Sequence, residues 1–186
     1  MRRILAAAAG ICLALGPEQA AKWTVDRAKS RLGFTVSWSG EAFNAAFKSW
    51  KADIDFDPAH LATSRAVVAI DLGSEESGSP DNDDGVKGAE GFAITQFPTA
   101  RFTTTGFKAT GGNGYLATGT LNLHGVSRVI ALPFTLNIAG DTAHMVGKAV
   151  VSRLDFGLGS SGEWAGETPI AHAVTITVDL TATKAR

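Results

Sequence analysis

The sequence predicts an all-β protein: one eight-stranded antiparallel barrel with an apolar interior and a short helix in one long loop. Two observations predict this fold class. Apolar and polar residues alternate with a period of two along about eight segments, which is typical of strands with one dry face and one wet face. The segments are separated by turns rich in glycine, asparagine and aspartate, without alternating helices. Closing eight strands into a barrel removes exposed edges, and a two-sheet sandwich is the alternative.

The alternation is clear in the first segment, where Leu32, Phe34 and Val36 share one face and Arg31 and Thr35 share the other. The eight predicted strands lie at about residues 31–38, 50–56, 66–72, 101–107, 115–123, 126–138, 146–150 and 170–180. Residues 73–97 lack the pattern. They begin as a loop rich in Gly, Ser and Asp, and we expect a short helix near Gly85–Phe92.

The N-terminus has the order of a secretory signal peptide, with a basic start, an apolar stretch and then small residues. The apolar stretch, Ile4–Gly16, is shorter than the roughly 20 residues that span a bilayer. We therefore expect a signal peptide over residues 1–21, cleaved between residues 16 and 21, and a mature domain over residues 22–186 in the periplasm or outside the cell. A buried N-terminal helix and an uncleaved anchor are the alternatives.

Composition and motifs argue against several function classes. Cys12 is the one cysteine, so cleavage leaves no thiol for a disulfide, catalysis or a metal. The formal charge of -1 gives no basic excess that would favour nucleic acid. The four histidines lack metal-ligand spacing, and no G-x-S-x-G motif is present. Residues 157–162 spell G-x-G-x-x-G, but no helix pattern follows, so we interpret them as a loop and expect no cofactor.

His124 and Arg128 flank a predicted tight turn between two strong strands, with Gly125 suited to the turn itself. Both side chains are then expected near one barrel end as polar donors. A purely structural hairpin is the alternative interpretation.

Four motifs resemble those of YceI-like proteins. Residues 121–128, L-N-L-H-G-V-S-R, and the L-P-F of residues 132–134 closely resemble the family's "LtLHGvtr…lpf" signature. Trp23-Thr24-Val25-Asp26, then Phe97-Pro98, then Asp155-Phe156-Gly157 with residues 162–164 resemble other family motifs in the same order. The resemblance covers about residues 22–182.

This resemblance implies a lipocalin-like barrel that holds a polyisoprenoid, a quinone or a similar long amphiphile in an elongated pore, with no catalysis. It also implies a cytochrome b561-type membrane protein as a candidate partner, and a homodimer is the candidate assembly. The sequence departs from the family at Asn82-Asp83, where an Arg-Asp pair is usual. We therefore expect a charged headgroup to be held differently here, or not at all.

Bulky residues on the apolar faces are the candidates for contact with a lipid tail, and ordinary core packing is the alternative for each. They are Phe34, Trp38, Phe47, Trp50, Ile70, Phe92, Phe102, Phe134, Phe156 and Trp164. The candidates for headgroup contact are His124, Arg128 and Asp83. A lipid carrier, store or sensor is the leading functional hypothesis. An enzyme acting on an apolar substrate and a filled structural or partner-binding barrel are the alternatives.

Overall fold

The computed structural model describes residues 20–185. Almost all of the signal peptide predicted over residues 1–21 lies outside the described residues, so it stays a prediction. No helix in the described part of the chain is long and apolar enough to cross a membrane. The elements are β1 (Lys22–Val25), β2 (Arg31–Trp38), β3 (Glu41–Phe47), β4 (Trp50–Asp55), β5 (Arg65–Asp71), β6 (Glu75–Glu76), α1 (Pro80–Lys87), β7 (Thr99–Gly111), β8 (Gly114–Leu123), β9 (Val126–Ala139), β10 (Thr142–Ser152) and β11 (Ile170–Lys184).

These eleven segments form the eight strands of a closed barrel, because three barrel strands are each divided in two. Short 3₁₀ turns separate β1 from β2 and β5 from β6, and a bend at residues 48–49 separates β3 from β4. Successive barrel strands then pair antiparallel along the chain. The last strand, β11, pairs with both β1 and β2 and closes the barrel. The predicted fold class is confirmed.

Two elements differ from the sequence prediction. The helix spans Pro80–Lys87 and not residues 85–92. Proline suits the first helical turn, acidic residues favour that end, and the chain turns back after Gly88, where the Phe92 amide donates to the Val86 carbonyl. Strand β3 was not predicted, because alanines on both of its faces hide the period of two.

The barrel has two distinct ends. At the hairpin end lie the β7–β8 and β9–β10 turns, and one core cluster around Trp23, Trp50 and Phe134 fills this half. At the helix end lie α1 and the loop of residues 153–169, over a second cluster that includes Phe43, Phe92 and Phe156. The interior is therefore organised as two halves stacked along the barrel axis.

Candidate functional site

The interior of the barrel contains two adjoining cavities. The hairpin chamber, on the side of the β9–β10 turn, has a volume of about 170 Å³ and apolar lining except for Thr104. The helix chamber, beneath α1, has a volume of about 130 Å³. Four aliphatic side chains border both chambers and form a waist between them: Leu32, Ile70, Leu121 and Ile176. The barrel is therefore not filled, and its free space is elongated.

Each chamber is large enough for part of a hydrocarbon ligand. An apolar cavity of about 150 Å³ can stay dry and admit a benzene-sized guest. Water gains little in the hairpin chamber, because a buried water needs several polar partners and this lining offers almost none. An apolar chain has no polar groups that would be left unpaired in this chamber. The chambers therefore favour a greasy ligand over a polar one.

All ten residues predicted to contact a lipid tail line one of the chambers. Trp50, Phe102 and Phe134 line the hairpin chamber, and Ile70 lies at the waist. The other six line the helix chamber: Phe34, Trp38, Phe47, Phe92, Phe156 and Trp164. Period-two alternation assigned the six candidates on predicted strands to the inner face, whereas the other four lie outside those strands: Phe47, Phe92, Phe156 and Trp164. Their contact with a ligand stays a prediction.

The structure does not bring the three headgroup candidates together, and none of them lines a chamber. His124 lies in the β8–β9 turn at φ 52°, its Nδ1 is 3.2 Å from the Phe156 carbonyl oxygen, and its ring packs on Phe97. Arg128 is exposed on β9 and donates to the Ser127 carbonyl. Each polar group is thus used locally, in a turn or along its own strand.

Asp83 has a structural role in the described fold. It is buried in α1, and its carboxylate accepts hydrogen bonds from the backbone N–H and the hydroxyl of Ser77. These bonds tie the helix to the chain that follows β6. A role of Asp83 in headgroup binding stays a prediction, and it would compete with these bonds.

Sequence reasoning missed Arg153, which is 5% exposed and borders the helix chamber. Its five guanidinium N–H groups donate to six backbone carbonyls, those of Leu158, Gly159, Trp164, Gly166, Ile170 and Ala171. All its donors are therefore used inside the protein. The G-x-G-x-x-G segment is the loop that wraps this side chain, because a Cβ on Gly159 would lie 2.8 Å from an Arg153 nitrogen. An arginine among the apolar residues that end β10 was the available signal.

Glu75 is a second buried ionisable group, 1% exposed and placed beside α1. Neither of its carboxylate oxygens has a hydrogen-bond partner, and Oε2 lies 3.8 Å from Nζ of Lys87. Burial, reinforced by the charge of Asp83, raises the pKa of Glu75 to about 7, although Lys87 opposes the shift. Glu75 does not line either chamber, so this carboxyl is poorly placed to act on a ligand.

No group of three or more His, Cys, Asp or Glu side chains within residues 20–185 is arranged to hold a metal ion. A closed antiparallel barrel around an apolar interior defines the lipocalin-like class of ligand-binding barrels. Residues 23–182 match the YceI-like domain. The chain belongs to the YceI-like family, which confirms the resemblance found in its motifs.

Relatives and solved structures agree with this assignment. The UPF0312 protein of Pseudomonas savastanoi pv. phaseolicola is 27% identical over 159 residues, which cover 81% of this chain and 83% of that protein. The UPF0312 protein of Pseudomonas fluorescens is 25% identical over 181 residues, which cover 92% of this chain and 91% of that protein.

Two solved structures have the same barrel fold. Burkholderia cenocepacia BcnA is 31% identical with a TM-score of 0.82, over 86% of this chain and 100% of that chain. A polyisoprenoid binding domain from Saccharophagus degradans, implicated in plant cell wall breakdown, has a TM-score of 0.67 at 18% identity, over 89% of this chain and 99% of that chain. The second likeness shows the fold alone.

Proposed function

We propose that this protein holds a polyisoprenoid, an isoprenoid quinone or a similar long apolar amphiphile inside its barrel, as a carrier, store or sensor in the periplasm. The observation that carries the proposal is the pair of adjoining, mainly apolar chambers separated by an aliphatic waist. A long chain with repeated branched units matches this shape, because one part can occupy each chamber. The polyisoprenoid-binding domain of Saccharophagus degradans supports the ligand class through its shared fold.

The free energy of burial favours placing the apolar tail in the chambers and leaving the headgroup outside. Each buried CH₂ contributes about 0.8 kcal/mol, so one five-carbon unit contributes about 4 kcal/mol before ordering costs. The guanidinium of Arg153 is the one ionisable group among the described residues that line the chambers, and its donors are already used. An anionic headgroup inside either chamber would therefore be left unpaired, at a cost of several kcal/mol.

The same arrangement favours binding over catalysis. An enzyme would need a general acid, a general base or a nucleophile within reach of the ligand. The described lining offers no such group with a free polar atom. The cytochrome b561-type partner and the homodimer stay predictions from the family resemblance.

The test is to purify the full-length gene product after expression in its native host, extract it with organic solvent and analyse the extract by mass spectrometry. We expect a long-chain neutral lipid in stoichiometric amount. The emptied protein should then take up a polyprenol and a ubiquinone, which quenching of Trp23 and Trp50 fluorescence would report, because both rings line the hairpin chamber. A protein that is isolated empty and that takes up neither lipid would contradict the proposal.

A further inference from the structure

The barrel wall is interrupted between β9 and β10. The ladder between these strands runs from Thr142↔Ala139 to Gly147↔Phe134 and then ends. Both strands continue beyond that point, β9 over residues 126–133 and β10 over residues 148–152. Each still pairs there with its other neighbour, β8 or β11. Two regular strands therefore lie next to each other in the wall without a shared ladder. We call this interruption the seam.

Pro133 explains why the ladder ends at this position. In an antiparallel pair, opposite residues alternate between exchanging two hydrogen bonds and exchanging none. The β8–β9 ladder runs unbroken through Leu116↔Pro133, although proline has no N–H to donate. Leu116 and Pro133 must therefore form a non-hydrogen-bonded pair, so the nitrogen of Pro133 faces β10. Continuation of the β9–β10 register would place Lys148 opposite Pro133, where the carbonyl of Lys148 needs a donor that proline lacks.

The seam adjoins both chambers on its inner side. Ile130 on β9 lines the hairpin chamber, and Val151 on β10 lines the helix chamber. On the outer side, Val129 and Val150 are 71% and 70% exposed, which is unusual for large apolar side chains on a wet barrel surface. The seam thus has apolar side chains on its inner and outer faces, without a ladder of backbone hydrogen bonds to break.

Both barrel ends have tighter closures. At the helix end, Trp38 packs edge-on against Trp164 at 5.6 Å, and the loop beside them is held by Arg153. At the hairpin end, Phe56 packs edge-on against three neighbouring rings, and Trp23 donates from Nε1 to the Phe56 carbonyl at 2.9 Å. Opening either end requires loss of aromatic packing and of buried hydrogen bonds, whereas motion tends to occur where such contacts are few.

We propose that an apolar chain enters and leaves the barrel sideways, through the β9–β10 seam. This inference rests on the proposed function, because it concerns the path to the same chambers. Parting of β9 from β10 opens the wall beside both chambers, so a long chain can slide in laterally and does not have to thread through an end. The exposed valines at the seam are the first surface that such a chain meets.

The experiment bridges the seam covalently. In the full chain with Cys12 replaced by serine, Ala131→Cys and Val150→Cys occupy opposite positions when the β9–β10 register is extended. The two thiols are joined by oxidation, or by a short bifunctional thiol reagent where the sulfurs lie too far apart for a disulfide. Retinol, a fluorescent isoprenoid alcohol, is the probe, and stopped-flow energy transfer from tryptophan gives the rate of uptake. The matched control joins Thr135→Cys to Val146→Cys, a pair on the same two strands where the ladder is already formed.

We expect the seam bridge to slow retinol uptake at least about tenfold because it removes the open state, with an unchanged final amplitude. The control bridge should leave the rate unchanged, and opening the seam bridge, by reduction or by cleavage of the linker, should restore the rate. Equal rates in bridged and unbridged seam variants would overturn the proposal. The variant Pro133→Ala gives a second test, because it restores an N–H facing Lys148. Its uptake should be slower and the amide exchange of β9 more protected, and a gain in protection without slower uptake would also overturn the proposal.

The two proposals fail in different ways. If the unmodified protein takes up neither retinol nor a polyprenol, the lipid-binding function is wrong. If it takes them up and the seam bridge has no effect on the rate, binding stands and only the sideways path is wrong.

Discussion

Replacement of Arg153 with methionine should destabilise the whole helix end of the barrel. The substitution removes the guanidinium from six carbonyl oxygens that belong to the loop and to the start of β11. Leaving a buried polar group unsatisfied costs about 1–3 kcal/mol, but several of these carbonyls can turn toward water once the loop loosens. We therefore expect a loss of about 3–5 kcal/mol in the free energy of unfolding, the range seen when a buried charged interaction is broken.

Urea denaturation followed by tryptophan fluorescence measures this loss. The matched control is Arg128→Met, because Arg128 is exposed and donates only to the neighbouring Ser127 carbonyl. Surface substitutions of this kind change stability by about 0.5 kcal/mol or less. A loss below about 1 kcal/mol at position 153 would refute the reasoning, because it would mean that the carbonyls find equally good partners without the guanidinium. The loss of stability in Arg153→Lys should lie between those of Arg153→Met and Arg128→Met, since an ammonium offers three donors and cannot reach all six acceptors.

Three further predictions concern pH, the cavity and export. Because the folded-state pKa of Glu75 is raised from 4.5 to about 7, the unfolded state loses its proton first, and stability should fall by about 3 kcal/mol as the pH rises from 4.5 to 7. Glu75→Gln should flatten this part of the stability profile in urea titrations and Glu76→Gln should not, and identical profiles would contradict the assignment. Ala149→Leu should fill part of the hairpin chamber and reduce the amount of retinol bound, whereas the outward Ala131→Leu should bind normally. Equal binding by the two variants would contradict the chamber as the site. The intact mass of the protein from the native host should show cleavage between residues 16 and 21, and an uncleaved mass would contradict the signal peptide.

The features that the sequence predicted well are those imposed by a dry interior. A strand with one buried face must place apolar side chains at every second position, so the eight strands and the six candidate residues on them could be read from periodicity. Strand β3 was missed because alanines lie on both of its faces, so the two faces do not differ clearly in polarity. The helix was predicted too far along the chain, because its start depends on Pro80. Phe92, where the predicted helix ended, packs in the turn that follows.

The polar residues were harder to predict, because their partners are set by the path of the chain and not by periodicity. His124 was chosen as a polar group near a barrel end and Asp83 as part of the family's Arg-Asp position, yet each is bonded to a nearby turn or loop. The role of Arg153 depends on a loop whose carbonyls converge on one point, which no local pattern encodes. The consequence of Pro133 likewise depends on which neighbouring strand its nitrogen faces, and only the register of the ladders decides this.

The distribution of polar groups also argues for how ligands are selected. Arg153 and Trp23 use their buried donors to hold the protein's own loops, and the described lining of the chambers is almost entirely apolar. An apolar pocket distinguishes one methylene more or less by only about 1–3 kcal/mol, whereas a buried hydrogen-bonding group discriminates far more strongly. Selection must then depend on the width of the waist at Leu32 and Leu121 and on the length of the two chambers, so chains of similar girth should compete for the same space. Under the proposed function, the desolvation cost keeps a polar headgroup outside the chambers, at the place where the chain enters. If the chain enters through the seam, as proposed, the headgroup stays on the stretch of wall where β9 and β10 share no ladder, which carries the exposed Arg128 and Lys148.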